Sequence, residues 1–160
     1  YTFLNCLGFS YGIKSNQTIP KLIKDANIGI KIDFLRGLAD TEFFITFKKK
    51  HKEVHYYPVI GYSTSNKSLI KDVYQLLSIL GFNMTISLDI KSRRLEKLHI
   101  THHLDINGRS MTEKWMKEIG FTSPKHITKY QMWKIFGFCP PNTLLYQRQK
   151  ILGRFSKLIK

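Results

Sequence analysis

A short apolar segment of the chain, from Phe34 to Phe43, ends in two carboxylates and carries small residues on one side. Gly37 and Thr41 are four residues apart, so in a helix they share one face. A face without bulky side chains allows the backbone of a second helix to approach closely. Asp40 and Glu42 supply the oxygen ligands that Mg²⁺ prefers. The spacing therefore predicts a helix that could both join two subunits and carry a metal site.

Divalent metals held by carboxylates can catalyse the hydrolysis of phosphodiesters, because they activate water, neutralise charge at phosphorus and assist the leaving oxygen. The overall charge favours such a substrate: 26 Lys and Arg stand against 11 Asp and Glu, a net charge of +15. A chain with this excess is expected to bind a polyanion. Charge alone does not choose among DNA, RNA and a basic surface that is merely solvated.

The composition predicts one folded domain. The 160 residues can bury a single core, and 42% hydrophobic with 13% aromatic content argues against disorder. No apolar run is long enough for a membrane span, and no secretory signal is evident. Cys6 and Cys139 form no CxxC pair, so the sequence suggests neither a disulfide framework nor a cysteine zinc site. We expect an intracellular protein, cytoplasmic or organellar, without membrane contact or a small-molecule substrate.

Hydrophobic periodicity and turn residues predict an α+β fold with the order αββαββα and extra C-terminal helices. Residues 1–20 are predicted to form an N-terminal arm, and residues 21–160 a single domain. Two basic runs, Lys49–Lys52 and Lys91–Arg94, are expected at hairpin tips. The predicted helices are 20–26, 30–41, 67–80, 107–119, 124–136 and 144–158, and the predicted strands are 43–50, 55–64, 82–90 and 97–104.

Alternation along the strands predicts a four-stranded antiparallel sheet with one face under helices and one open, polar face. The face under the helices would contain Ile45, Phe47, Met84, Ile86, Leu98 and Ile100. The open face would contain Thr46, Lys48, Lys50, Thr85, Ser87, Lys97, His99, Thr101 and His103.

A two-stranded ribbon fits the major groove of B-DNA, so the open face could read base edges while the basic tips hold phosphates. Lys48 could donate to guanine, and Asp89 could accept from cytosine. Such a face also looks like an ordinary solvated sheet, and the charge excess favours the DNA interpretation. The predicted DNA-binding residues are Thr46, Lys48, Lys50, Lys52, Tyr57, Asn66, Thr85, Ser87, Asp89, Lys91, Arg93, Arg94, Lys97, His99 and Thr101.

The acidic helix resembles the signature of the LAGLIDADG homing endonucleases, with Leu35, Gly37, Leu38, Asp40 and Glu42 at its first, third, fourth, sixth and eighth positions. That family cuts long DNA sites and has the αββαββα fold. A single copy of the signature implies a homodimer, a near-palindromic double-stranded target and an enzyme that initiates the homing of its own intron. The implied dimer interface is Leu35, Gly37, Leu38 and Thr41.

The resemblance also implies the catalytic residues. Glu42 and the backbone carbonyl of Thr41 would hold Mg²⁺, for which Mn²⁺ or Ca²⁺ can substitute in vitro, and Asp40 would support the helix pair. The family often places a lysine near the end of the fourth strand, where this chain has Thr101. The substitutes are Lys97, His99 or His103 as the basic group, with Tyr62 or Asn66 positioning water.

Other interpretations remain open. Phe43 stands where the family usually has a glycine, a residue that eases the turn from helix into strand. Together with Thr101, this departure keeps open a non-cleaving nucleic-acid-binding protein, such as an RNA splicing maturase. The run from His102 to Asn107 is similar to part of the HNH nuclease motif, but its histidines would face opposite sides of a strand. A purely structural basic protein would leave Glu42 unexplained.

Overall fold

The computed structural model describes residues 17–94 and 97–158. These residues form helices around a four-stranded sheet, which confirms the predicted α+β class. The elements of the described chain are α1 (Lys21–Lys24), α2 (Ile28–Glu42), β1 (Phe43–Lys48), β2 (Tyr57–Thr64), α3 (Lys67–Ile79), β3 (Thr85–Arg94), β4 (Lys97–Asn107), α4 (Arg109–Glu118), α5 (Pro124–Phe136) and α6 (Leu145–Leu158).

The sheet has the strand order β1-β2-β4-β3, and every neighbouring pair is antiparallel. One row across it contains Phe43, Tyr62 and Leu104, so the start of β1, the end of β2 and the middle of β4 lie at one level. Because α2 runs directly into β1, this row also fixes where α2 ends relative to the sheet. The order of the elements is the one that the sequence predicted.

The acidic helix α2 has clear local causes for both of its ends. The side chain of Asn27 caps its start by accepting a hydrogen bond from the Ile30 N–H at 3.1 Å. The helix ends because Phe43 adopts extended backbone angles, φ −86° and ψ 163°. These angles suit any residue, so the turn into β1 does not need the glycine expected at this position.

Phe43 is instead used for packing. Its ring is 3% exposed and lies 4.8 Å from the Tyr62 ring in a stacked arrangement and 5.1 Å from Trp115. Trp115 is fully buried and also contacts Phe82 and Phe121. Loss of a buried tryptophan typically costs about 3–5 kcal/mol, so this aromatic cluster anchors the junction between α2 and the sheet.

The sequence offers Ser65 and Asn66 as caps for the long helix α3. In the structure Asn66 is the cap, and its side chain accepts from the Leu69 N–H at 3.0 Å. Its apolar side faces the sheet through Ile70, Val73 and Leu77, as the helical spacing predicted. The predicted N-terminal arm lies outside the described residues up to position 16. Ile19 is buried, and its N–H donates to Asp72 of α3 at 2.9 Å.

The β3–β4 hairpin is longer than predicted and contains an irregularity. Ser87 pairs with His103, but the next regular pair is Ile90 with Thr101, so β3 has one extra residue in a bulge at positions 88 and 89. Asp89 has φ +56°, a conformation that aspartate tolerates better than most residues. The bulge reverses the faces of all later β3 residues relative to simple alternation.

The outer part of this hairpin extends past the helices. Leu98 and Ile100 are 58% and 43% exposed, so the prediction that they pack beneath helices was wrong. The reason is length: the helices that cover Leu104 and Ile106 do not extend over the outer residues of β4.

The last helix is joined to α5 by a buried arginine. Arg148 is 3% exposed, and its Nε donates to the Thr128 hydroxyl at 2.9 Å, while its other nitrogens donate to the carbonyls of Lys125 and Thr143. These bonds hold α6 against α5. Within residues 17–94 and 97–158, no helix is long and apolar enough to cross a lipid bilayer.

Candidate nucleic-acid interface

The sheet face opposite the helices, here called the open face, is mostly polar. Its register follows from the buried pattern of β1 and the three strand pairings. It contains seven of the residues predicted there: Thr46, Lys48, Thr85, Ser87, His99, Thr101 and His103. It also contains Phe44, Tyr57, Gly61, Ser63, Ile90, Ser92, Asp105 and Asn107, of which only Tyr57 was a predicted site residue.

Hydrogen bonds and ion pairs order the side chains of the open face. The Lys48 Nζ lies 3.8 Å from Asp105, and the Asn107 amide donates to the Thr85 hydroxyl at 3.3 Å. Thr101 and His103 share a hydrogen bond of 3.0 Å between Oγ1 and Nε2. These groups present both donors and acceptors toward solvent, which is what reading of base edges requires.

Two signals could have found the missed residues. The alternation along β4 continues beyond residue 104, so Asp105 and Asn107 also lie on the open face. Ile90 and Ser92 reach it because of the bulge. An aspartate inside an otherwise alternating strand was the one sequence feature compatible with that bulge.

The basic loop between β1 and β2 extends the open face. Lys50 has φ +53°, and its Nζ lies 3.9 Å above the Tyr57 ring. Lys52 lies 5.0 Å from the Tyr56 ring in the same way. Cations held over aromatic faces keep their charge accessible while losing mobility. The loop therefore carries fixed positive charge at the end of β1 and β2 that lies away from Glu42.

The second basic run does not form a hairpin tip as predicted. Lys91, Arg93 and Arg94 belong to β3, and Lys91 and Arg93 pair with Ile100 and Leu98, on the face opposite the open one. The run is part of the strand because the hairpin is longer than predicted. Lys91 and Arg93 face away from the open face because the bulge shifts the register of β3 by one residue. Arg94 pairs with Lys97 at the outer end of the hairpin.

Two other predicted DNA contacts are used inside the protein. The carboxylate of Asp89 bonds to Lys67 at the start of α3, and its backbone N–H donates to His102 at 3.0 Å. It therefore faces the helices rather than the open side. The hydrogen bond from Lys67 is the main cause that lowers the pKa of Asp89. Asn66 is 2% exposed because it caps α3 and donates to the Gln17 carbonyl at 2.6 Å.

His102 is buried and His103 lies on the open face, so the two histidines of the HNH-like run do not share a site. Tyr62, expected to position water, is 1% exposed in the aromatic cluster. Burial raises the pKa of Tyr62 to about 12; a hydrogen bond with Thr64 opposes this, and the charge of Glu42 adds to it. Tyr62 is thus a neutral core residue close to Glu42.

Glu42 is the last residue of α2, and its side chain is exposed. Thr41, also exposed, bonds its hydroxyl to the Leu38 carbonyl at 3.1 Å. The carbonyl groups at a helix C-terminus carry partial negative charge, which favours a cation there. Phe43 pairs with Tyr62, and the next residue of β2, Ser63, pairs with His103. Since Glu42 directly precedes Phe43, His103 is the basic open-face residue of β4 at the same end of the sheet as Glu42.

Lys97, the other predicted basic group, begins β4. Its backbone lies roughly 20 Å along the strand from the level of Leu104, at about 3.3 Å per residue. Within one chain, the fold therefore does not bring Lys97 to Glu42.

Asp40 has a different environment from Glu42, although only Thr41 separates them. Its carboxylate accepts hydrogen bonds from the backbone N–H groups of Thr122, at 2.9 Å, and Ser123, at 3.0 Å, and from the Thr122 hydroxyl. Burial alone would raise the pKa of Asp40, but these hydrogen bonds together outweigh it and lower the pKa below 3.8. Asp40 thus fixes the end of α2 to the segment before α5.

One side of α2 is not covered by the rest of the described chain. Ile30 is 46% exposed, Gly37 and Thr41 are exposed, and Phe34 and Leu38 are half-buried. A Cβ atom built on Gly37 meets nothing within 4 Å. Leu35, predicted at a dimer interface, is fully buried in the core of its own chain, so that prediction was wrong. We define the α2 stripe as Ile30, Phe34, Gly37, Leu38 and Thr41.

The donor set at the end of α2 suits a hard divalent cation, because the Glu42 carboxylate and the Thr41 carbonyl are both oxygen ligands. One chain supplies few of the ligands that such an ion requires. In the described part of the chain, no group of three or more His, Cys, Asp and Glu side chains could hold a metal. The residues therefore fit a metal only if a phosphate, water or a second chain completes the site.

Comparisons with known proteins found a matching family and distant relatives. The model of the LAGLIDADG-like domain family matches residues 30–120, more than half of the chain. The chain is 28% identical over 116 residues to glutamine–fructose-6-phosphate aminotransferase [isomerizing] of Methanocaldococcus jannaschii. It is also 28% identical over 111 residues to the replicative DNA helicase DnaB of Rhodothermus marinus. These matches cover 72% and 69% of the chain but only 10% and 11% of those proteins.

Proposed function

The chain belongs to the LAGLIDADG homing endonuclease family, and from this membership we propose that it is a site-specific, metal-dependent DNA endonuclease that acts as a homodimer. Its target would be a long, near-palindromic duplex, and its cleavage would initiate the homing of the intron that encodes it. The compartment in which it acts, cytoplasmic or organellar, would follow from the location of the host gene.

The observation that carries this proposal is the position of Glu42. The helix that presents this carboxylate continues without a break into the first strand of the open face. A duplex held on that face would therefore bring its backbone to the end of α2. The net charge of +15 supports the binding of a polyanion.

Each part of the site has a defined task in this proposal. The loop cations Lys50 and Lys52 bind phosphates, while Thr46 and Lys48 contact base edges. Glu42 and the Thr41 carbonyl would hold Mg²⁺, or Mn²⁺ or Ca²⁺ in vitro. A bound divalent ion supplies charge neutralisation at phosphorus and lowers the pKa of water. His103 is the candidate for proton transfer, because it lies at the same end of the open face as Glu42.

Dimerisation would proceed through the α2 stripe. Gly37 leaves space for a second backbone, and Ile30 supplies exposed apolar surface that a partner helix would cover. Two copies of Glu42 would then lie near the centre of the bound duplex, one for each strand.

Cleavage by a Glu42→Gln variant tests the proposal. The substrate is a duplex that spans the insertion junction of the coding sequence, incubated with Mg²⁺. We expect double-strand cutting by the parent protein, and binding without cutting by the variant, because the amide keeps the shape but loses the charge that holds the metal. Glu118→Gln, which removes a carboxylate from α4, should cut like the parent. Equal cutting by the parent and Glu42→Gln would remove Glu42 from the mechanism.

A non-cleaving RNA splicing maturase is the second candidate. The observation that favours it is that Thr101, at the β4 position where the family often has a lysine, bonds to His103 instead. In that case the parent protein would bind the flanking intron RNA more tightly than the junction duplex and would cut neither.

A further inference from the structure

A recess beside the open face contains aromatic and cationic side chains, of which only Lys52 has a task in the proposed function. It has a volume of about 400 Å³ and lies where the β1–β2 loop meets the start of α4 and the end of α5. We call it the aromatic recess. The residues that matter for its chemistry are Lys52, Tyr56, Tyr57, Arg109, Trp133 and Phe138. Its volume lies in the range of small-ligand sites.

The floor of the aromatic recess is held rigidly. Trp133 is 2% exposed, and its indole N–H donates to the Tyr56 carbonyl at 2.7 Å. The neighbouring His55 carbonyl accepts from the Cys139 N–H at 3.0 Å. These bonds fasten the loop to α5 and to the segment that follows it. The recess is therefore formed before any ligand binds.

The cations of the aromatic recess are oriented but not neutralised. The Arg109 guanidinium lies 5.0 Å from the Trp133 ring, and the Lys52 Nζ lies 5.0 Å from the Tyr56 ring. In the described part of the chain, neither forms an ion pair with a carboxylate; Glu113, which lies near Arg109, pairs with Lys134 at 2.8 Å. Arg109 also begins α4, whose N-terminal end adds partial positive charge.

The recess is continuous with the open face through Tyr57. This residue pairs with Lys48 in the sheet, lies under Lys50 and also lines the recess. Nucleic acid that lies on the open face and runs along β1 and β2 toward the loop between them would therefore pass the mouth of the recess. An aromatic wall beside fixed cations is the arrangement that binds an unstacked base together with its phosphate.

We propose that the aromatic recess binds one unstacked nucleotide at the flank of the nucleic acid held on the open face. The base lies against Tyr56 and Phe138, and the phosphate lies between Lys52 and Arg109. The proposal rests on the proposed function only in requiring that the chain bind nucleic acid. The two free cations favour this occupant over an apolar side chain of a protein partner, for which they would have to be desolvated.

The test compares a short oligothymidylate with an abasic oligomer of the same length, which carries the same phosphates without bases. Fluorescence anisotropy gives the two dissociation constants. We expect the oligothymidylate to bind at least about fivefold more tightly, the ratio for about 1 kcal/mol of stacking by one base. Phe138→Ala should bring this ratio close to one. An oligouridylate of equal length measures whether the recess prefers DNA or RNA.

A charge control and a structural readout complete the test. Arg109→Gln should weaken oligothymidylate binding more than Lys117→Gln, which removes one exposed charge from the same helix. The NMR resonance of the Trp133 indole N–H should shift with the oligothymidylate and not with the abasic oligomer. This readout also reports whether each variant is folded.

A random-sequence duplex separates the two proposals. If the parent protein binds neither the duplex nor any single strand, the proposed function fails. If it binds the duplex but does not distinguish the oligothymidylate from the abasic oligomer, and the Trp133 resonance does not move, the recess proposal is overturned while the proposed function stands. Unchanged affinities in Phe138→Ala and Arg109→Gln would also overturn it.

Discussion

At the scale of single residues, two carboxylates that look equivalent in the sequence have different environments. Three donor groups of Thr122 and Ser123 form hydrogen bonds to Asp40, which favours its ionised form and holds it in place. Glu42 is exposed at the end of α2, next to the open face. A single intervening residue therefore separates a structural acid from the candidate metal ligand, and Asp40 is a positioning residue for Glu42.

Asp40→Asn should lower the free energy of unfolding at pH 7 by about 1–2 kcal/mol, because it removes hydrogen bonds to a charged acceptor. The pKa of Asp40 is below 3.8 in the folded chain, so its stabilisation is present above about pH 4 and is lost as the pH falls through the lowered pKa. Urea denaturation at pH 7 and at about pH 3 measures both effects. The difference between the parent and the variant should be smaller at the lower pH.

Asp33→Asn on the same helix is the matched control. Among the described residues, Asp33 pairs only with Arg36, at 2.9 Å and exposed to solvent, so its loss should have little effect. Equal destabilisation by both variants would contradict the role given to Asp40.

At the scale of elements, the bulge in β3 decides which side chains the outer hairpin presents on each face. It brings Ile90 and Ser92 to the open face and moves Lys91 and Arg93 to the other. The bulge depends on the left-handed backbone of Asp89 and is held by Lys67 and His102. An ordinary alternating strand would have exposed the basic residues on the proposed DNA side.

Substitutions at Asp89 test whether the bulge depends on the backbone conformation of this residue. Asp89→Gly keeps the left-handed conformation available, whereas Asp89→Val places a β-branched residue at φ +56°. We expect Asp89→Val to be less stable than Asp89→Gly by about 1–2 kcal/mol in thermal and urea unfolding. Both variants lose the exposed pair with Lys67, so the comparison isolates the backbone. Equal stability would mean that the bulge does not depend on this conformation.

At the scale of the whole molecule, charge and symmetry act together. A net charge of +15 on each chain opposes dimerisation by repulsion, so the α2 stripe must supply enough close contact to overcome it. The same charge should make nucleic-acid affinity fall steeply with salt, because each neutralised phosphate releases counterions. Bound DNA would screen the repulsion between the two chains.

Gly37→Leu tests the proposed dimer. The side chain would enter open space in the single chain, so folding should be retained, but it would separate two α2 helices that meet at this point. We expect sedimentation to show dimers of the parent protein and monomers of the variant. Gly153→Leu, at another exposed helical glycine where a Cβ atom meets nothing within 4 Å, should stay dimeric. Dimers of Gly37→Leu would refute the α2 interface.

The sequence by itself determined the element order, the sheet with one polar face, a capped start of α3 at Ser65 or Asn66 and the apolar side of that helix. Each of these follows from local periodicity and capping chemistry, which a linear pattern records. Only some of the open-face residues could be predicted in this way. Thr46, Lys48, Thr85 and His103 follow from alternation within one strand.

The tertiary structure decided the rest, because it depends on contacts between distant segments. Leu35 is in the core because it joins the buried cluster that also contains Trp115, 80 positions later in the chain. Asp40 is structural because the chain returns to it 82 residues later at Thr122. The aromatic recess exists because Tyr56 meets Trp133 across 77 positions. No spacing in the linear sequence encodes such meetings, since they are set by how the sheet twists and the helices pack on it.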